Sequence, residues 1–141
     1  MKLENDIRGK SRQWVSQHEE DLLKFARDLI RIPSSPLNGE YEEQVAERTL
    51  EEFGRLGYDD AFIDDFGNVH GVIEGRDAEQ GAIMFNSHLD TVGPGDHSDW
   101  SYDPYDAVIE DGQLYGLGAA DMKTAVASMV YAGGAIAQMD F

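Results

Sequence analysis

With 141 residues the chain has room for one domain, and 41% hydrophobic residues is enough for a core. A formal net charge of −17, from 28 acidic against 11 basic residues, excludes a surface built for nucleic acid or anionic membrane, which needs clustered Lys and Arg. There is no cysteine, so disulfides and thiolate metal sites are excluded and any metal must be held by His, Asp or Glu.

The polar start, Met1-Lys2-Leu3-Glu4-Asn5-Asp6, lacks the apolar stretch of a secretory signal. No apolar run approaches the ~20 residues that span a bilayer, and the cytoplasm is the expected location. Lysine is confined to Lys2, Lys10, Lys24 and Lys123. Low lysine with excess carboxylate suits a protein dissolved in concentrated salt, where self-repulsion is screened; an acidic protein of ordinary surroundings is the alternative.

In chain order, apolar positions from Trp14 to Ile30 fall mostly at helical spacing, and Pro33 ends that helix. Ser34–Gly39 reads as a loop, followed by an amphipathic helix from about Glu40 to Leu56 with Val45, Ala46, Leu50, Phe53 and Leu56 toward one side. Gly57 takes the C′ position, and the charge runs on both helices read as solvated faces. Ala61–Asp64 and Val69–Glu74 flank a hairpin turn at Asp65–Asn68. Ala82-Ile83-Met84-Phe85 is a continuous apolar run suited to a central strand buried on both faces. A second hairpin, Asp106–Glu110 with Gln113–Tyr115, turns at Asp111-Gly112. The last helix, Met122 to about Ala137, carries Ala125, Met129, Ala132 and Ile136 on one face, and its small residues allow close approach to a sheet. The pattern predicts an α/β fold, a mixed sheet covered by helices.

Two segments carry the chemistry. In extended backbone, positions i and i+2 share a side, so His88 and Asp90 can stand together. A ligating histidine gives its second ring nitrogen to an acceptor, and Asp90 is placed for that role; a strand-end histidine held by a turn is the plainer alternative. Gly116-x-Gly118-x-x-Asp121 opens a helix with an aspartate that would repel a pyrophosphate, which argues against a dinucleotide loop. Asp121 is then either an N-cap or a metal ligand.

Three motifs in order, His88-x-Asp90-Thr91-Val92, Trp100-x-x-Asp103-Pro104-Tyr105 and Gly116-x-Gly118-x-x-Asp121-Met122-Lys123, resemble the co-catalytic zinc group of aminoacylases, glutamate carboxypeptidases, acetylornithine deacetylases and succinyl-diaminopimelate desuccinylases. Arg31-Ile32-Pro33-Ser34 and Phe66-Gly67-Asn68-Val69 also look like family features, and Ala127–Gly133 looks most like a subgroup of selenium-metabolism-linked hydrolases. The resemblance implies that His88 is a ligand to one of two zinc ions, that Asp90 is the catalytic carboxylate orienting it, and that Asp121 bridges both ions; cobalt or manganese can stand in for zinc. It also implies a cis Asp121-Met122 peptide. Leu117 departs from the Arg common inside the Gly-x-Gly turn, and Thr124-Ala125 from the common Gly-Gly. Trp100 and Tyr105 read as packing around Pro104, His97 as a solvated loop histidine, and His18 and His70 receive no function.

A dinuclear site needs more ligands and a general base. The family draws these from a Glu-Glu pair and a histidine further on, whereas no Glu or His follows Asp121 here. Residues 1–141 are therefore expected to be a partial, N-terminal metal-binding part of a catalytic domain, inactive alone. The full-length form would cleave N-acyl amino acids or small peptides, with a homodimer possible. The alternative is a non-catalytic truncated module that weakly binds metal or a partner chain.

Overall fold

The computed structural model describes residues 2–36 and 42–139. Four helices dominate: α1 (Lys2–Gln17), α2 (Glu19–Arg31), α3 (Glu42–Leu56) and α4 (Thr124–Ala137). The expected single helix over 14–30 is thus two, with α1 beginning well before Trp14. The break falls at His18, whose backbone leaves helical geometry while its ring stacks on Trp14 at 3.8 Å and its Nδ1 lies 2.8 Å from the Trp14 carbonyl. Part of the expected 34–39 loop, and the first residues of the expected second helix, lie outside the described residues.

Phe25, Ala26 and Leu29 of α2, Val45, Phe53 and Leu56 of α3, and Val126, Ala127, Val130 and Tyr131 of α4 form the core. Each set repeats at helical spacing, which is why three helices can share one interior. On α4 the buried stripe is Val126, Ala127, Val130, Tyr131, Gly134 and Ala135, not the expected Ala125, Met129, Ala132 and Ile136 face. That helix is apolar nearly all round, so periodicity alone could not select its inner side. Its glycines face Tyr58 and, just past the strand 69–72, Ile73 on one side, and Leu56 and Trp14 on the other.

The charged faces are not all solvated. Glu52 is buried, and its carboxylate accepts from Arg48 at 2.8 Å, from Arg55 at 2.6 and 3.0 Å, and from the Tyr131 hydroxyl at 2.7 Å. Arg48 also reaches Asp28 on α2 at 3.2 Å, so the network ties α2, α3 and α4 together. Burial opposes ionisation of Glu52, but the bonds from Arg55, Tyr131 and Arg48 outweigh it and hold the carboxyl below its usual range.

The strands form two antiparallel ladders, β1 (Asp60–Ile63) with β2 (Val69–Val72) and β3 (Val108–Glu110) with β4 (Gln113–Tyr115). Both hairpins turn where expected. Asp64 closes the first by accepting from the Phe66 and Asn68 amides, and Asp111 and Gly112, both at positive φ, close the second. Gly71 lets the first hairpin lie on α3, because a Cβ there would come within 2.7 Å of the Phe53 ring. Helices with small sheets make the α/β class expected.

Residues 82–85 depart from expectation. They run without assigned strand structure, and Ile83 is 86% exposed, so the segment is not a buried central strand. A central strand takes its hydrogen bonds from strands on either side. Here both ladders close on themselves through hairpins, and among the described residues no other strand lies alongside.

Candidate metal centre

His88 and Asp121 meet. His88 Nε2 lies 3.0 Å from Asp121 Oδ1, although 33 residues separate them in sequence. The opposite ring nitrogen, Nδ1, lies 3.0 Å from the Asp90 carbonyl oxygen and 3.2 Å from Asp90 Oδ1. Asp90 therefore stands behind the imidazole, on the side away from Asp121. The Asp90 carbonyl, and after it the Asp121 carboxylate, favour the protonated ring and raise the His88 pKa. Asp121 itself makes no N-cap bond to α4, and its side chain is 88% exposed.

Both segments are fastened to the end of α2. The Thr91 amide donates to the Ser34 carbonyl at 2.9 Å, and Ser34 Oγ donates to the Leu89 carbonyl at 2.9 Å. These bonds fix the register of residues 89–91 against the loop after α2. On the other side, Lys123 Nζ donates to Leu29 O at 2.8 Å and Ile32 O at 2.6 Å. Lys123 thereby caps the end of α2, adding a second donor to Leu29 O, which also accepts from the Ile32 amide, and supplying one to Ile32 O just past the helix. It is 1% exposed, and burial pushes its ammonium down to about 8.

Between these anchors the Gly116–Lys123 turn is tight. The Leu117 amide donates to Pro104 O at 2.7 Å and the Lys123 amide to Gly118 O at 2.8 Å. Gly118 has φ +77, and a Cβ there would sit 2.6 Å from Thr91 Cγ2, so glycine is required where the two segments touch. The Asp121-Met122 peptide is cis, as the resemblance implied.

Other residues singled out in the sequence stand apart. His97 is exposed, 3.9 Å from the Asp103 carboxylate, and Trp100 Nε1 donates to Pro94 O at 2.8 Å. Pro104 is buried, in keeping with a packing role for that motif. His70 stacks on Phe62 and lies 3.1 Å from Asp64 Oδ2. None of these contacts reaches His88 or Asp121. Ser34 and Lys123 are the positioning residues that sequence reasoning left without a role, although both lay inside motifs it had marked.

The donor types at this site suit a divalent ion. With Nδ1–H held by Asp90, a neutral imidazole would present its Nε2 lone pair to an ion beside the exposed Asp121 carboxylate in place of the present Nε2–Asp121 contact, which is the right chemistry for zinc. The set is incomplete: among the described residues no group of three or more His, Cys, Asp or Glu converges on one point. The pair fits one side of a site. No described helix is long and apolar enough to cross a membrane.

Comparison with known proteins gives these residues a setting. The chain is 36% identical over 119 residues to the uncharacterized protein YgeY of Escherichia coli strain K12, covering 84% of this chain and 28% of YgeY. It is 38% identical over 112 residues to succinyl-diaminopimelate desuccinylase of Caulobacter sp. strain K31, covering 79% of this chain and 28% of that enzyme. The desuccinylase of Acidiphilium cryptum is 38% identical over 114 residues, with 81% and 29% covered. The chain thus spans less than a third of the curated relatives it matches. Residues 84–140, which include His88, Asp90 and Asp121, match Peptidase family M20/M25/M40.

Proposed function

We propose that these residues form the first part of the metal centre of a zinc-dependent hydrolase acting on the amide bond of N-acyl amino acids or small peptides. The observation that carries this reading is the approach of His88 Nε2 and Asp121 Oδ1 to 3.0 Å, with the far nitrogen held by Asp90. His88 and Asp121 would hold the ion, and Asp90 would fix the tautomer that leaves Nε2 free. A bound divalent ion supplies Lewis-acid chemistry at the substrate carbonyl, and cobalt or manganese can replace zinc in that role. Relatives named as desuccinylases favour a small acylated substrate.

The two-donor set also supports a second reading, a non-catalytic module that binds metal weakly. In either case residues 1–141 are proposed to be inactive alone, because a dinuclear site needs more ligands than the pair brought together here. Zinc titration by calorimetry separates the half-site from adventitious binding. His88→Ala weakens zinc affinity by about tenfold or more. Equal affinity in parent and variant removes the half-site. Release of acid from N-succinyl amino acids by the purified chain alone would contradict its inactivity.

A further inference from the structure

Two buried hydroxyls behind the half-site have no partner among the described residues. Ser35 is 2% exposed and Thr91 4% exposed, and neither Ser35 Oγ nor Thr91 Oγ1 makes a hydrogen bond to another protein group. Each oxygen presents less than 1 Å² of surface, so a group arriving from outside cannot reach it. A buried hydroxyl with no partner is unfavourable, and alanine or valine in its place would avoid the cost. The partner that makes these hydroxyls worth keeping must therefore lie inside.

The two side chains share one seam. The Thr91 amide donates to the carbonyl of Ser34, the residue before Ser35, and a Cβ on Gly93 would lie 3.9 Å from Ser35 Oγ. In extended backbone residues 91 and 93 share one side, and 88 and 90 the other. Lys123 reaches the same seam. Its Cδ and Thr91 Cγ2 come within 3.3 and 2.6 Å of the point a Gly118 Cβ would occupy, and its ammonium donates to Ile32 O in the loop that leads to Ser35. Two of the ammonium N–H groups go to Leu29 O and Ile32 O, and the third has no acceptor among the described residues. Two hydroxyls and one N–H in a buried seam meet the needs of an internal water, which typically makes about three hydrogen bonds.

We propose that Ser35, Thr91 and Lys123 enclose one internal water, and that through it Ser35 and Thr91 are positioning residues for Asp90 and His88. The water accepts from the Lys123 ammonium and exchanges hydrogen bonds with both hydroxyls. It thus holds the loop after α2, residues 89–91 and the Asp121 turn at one point. Asp90 adjoins Thr91 and stands against His88 Nδ1, so fixing Thr91 fixes the group that sets the imidazole. The positioning role rests on the proposed half-site, but its test uses no zinc, so failure of metal binding and failure of the water bridge are separate results.

The 141-residue chain is compared in chelator with Thr91→Val, Ser35→Ala, the double variant and Thr91→Ser. Valine keeps the methyl that packs on Gly118, and alanine removes a single oxygen, so packing is left nearly intact. Each single variant is expected to lower Tm by about 2–4 °C. The double variant falls no further than either single one, because losing one hydroxyl already releases the water. The His88 ring-nitrogen resonances, read by NMR at a fixed pH, move toward those of an unconstrained imidazole in these three variants and keep parent values in Thr91→Ser. A crystal structure of the parent chain shows the bridging water. An unchanged or raised Tm in the single variants marks the hydroxyls as true orphans and overturns the proposal, as does a crystal structure without that water. Additive losses overturn the shared water. Lower stability with unmoved His88 resonances, or the same movement in Thr91→Ser as in Thr91→Val, overturns the positioning role.

Discussion

Replacing Lys123 by methionine tests whether the α2 anchor holds the half-site. Methionine keeps most of the apolar stem but removes the ammonium that donates to Leu29 O and Ile32 O at 2.8 and 2.6 Å. A buried carbonyl left without its donor costs about 1–3 kcal/mol, so the two give roughly 2–6 kcal/mol. Leu29 O retains the Ile32 amide at 3.3 Å, and methionine avoids dehydrating an ammonium whose burial already pushes it down to about 8. Both corrections act in the same direction, and the expected net loss is about 2 kcal/mol. For a chain of this length that lowers Tm by about 4–8 °C. Circular dichroism melts in chelator read the stability, and calorimetric zinc titration at a temperature where both proteins are folded reads the site. Zinc affinity should fall with the stability, because Lys123 and Asp121 share one tight turn. A Lys123→Met protein as stable as its parent would refute the anchor, and a destabilised one with unchanged zinc affinity would refute its link to the site.

Glu52→Gln removes one charge from the α2–α3–α4 network while keeping the volume, and should cost about 2–3 kcal/mol at pH 7. That is below the 3–5 for a fully orphaned buried partner, since Arg48 retains Asp28. The folded-state pKa of Glu52 is lowered, so its contribution is complete above the unfolded pKa and lost as pH falls through the folded one. Urea melts of parent and variant should therefore differ at pH 7 and converge in acid; a gap independent of pH refutes the assignment. Gly118→Ala should lose about 2 kcal/mol or more, from positive φ and a 2.6 Å approach to Thr91 Cγ2, and an unchanged denaturant midpoint would exclude that contact.

What could be read in the sequence was whatever local pattern controls. The hairpin turns at Asp65–Asn68 and Asp111-Gly112, the Gly57 helix stop with φ +77 and the Val45, Ala46, Phe53 and Leu56 positions of the α3 stripe follow from spacing and turn chemistry, whereas Leu50 is only half-buried and Thr49 takes a core place instead. The convergence of His88 and Asp121 was legible only through motif order, because nothing local brings together residues 33 positions apart. Three features were hidden for physical reasons. The α4 stripe was ambiguous because nearly every position on that helix is apolar. Glu52 looks like any surface glutamate until Arg48, Arg55 and Tyr131 are seen around it. Residues 82–85 carry the composition of a buried strand, but burial belongs to the neighbours and not to the segment.

The two halves of the chain therefore differ in what holds them. The helical half closes on itself, with an apolar interior and an ion-pair network that needs nothing further. The site half is held from behind: Ser34 grips residues 89 and 91, Lys123 grips the Asp121 turn, and both attachments end on α2 and the loop after it. Its front, formed by the exposed apolar residues 83–85 and the exposed Asp121 carboxylate, has no such support among the described residues. A donor pair positioned from one side can be well oriented yet bind an ion weakly, since orientation and ligand number are separate requirements. Strengthening the anchors would sharpen the geometry of His88 and Asp121 without raising the number of donors. Only residues arriving on the open side can do that, so metal affinity should respond far more to an added polypeptide than to any substitution behind the site.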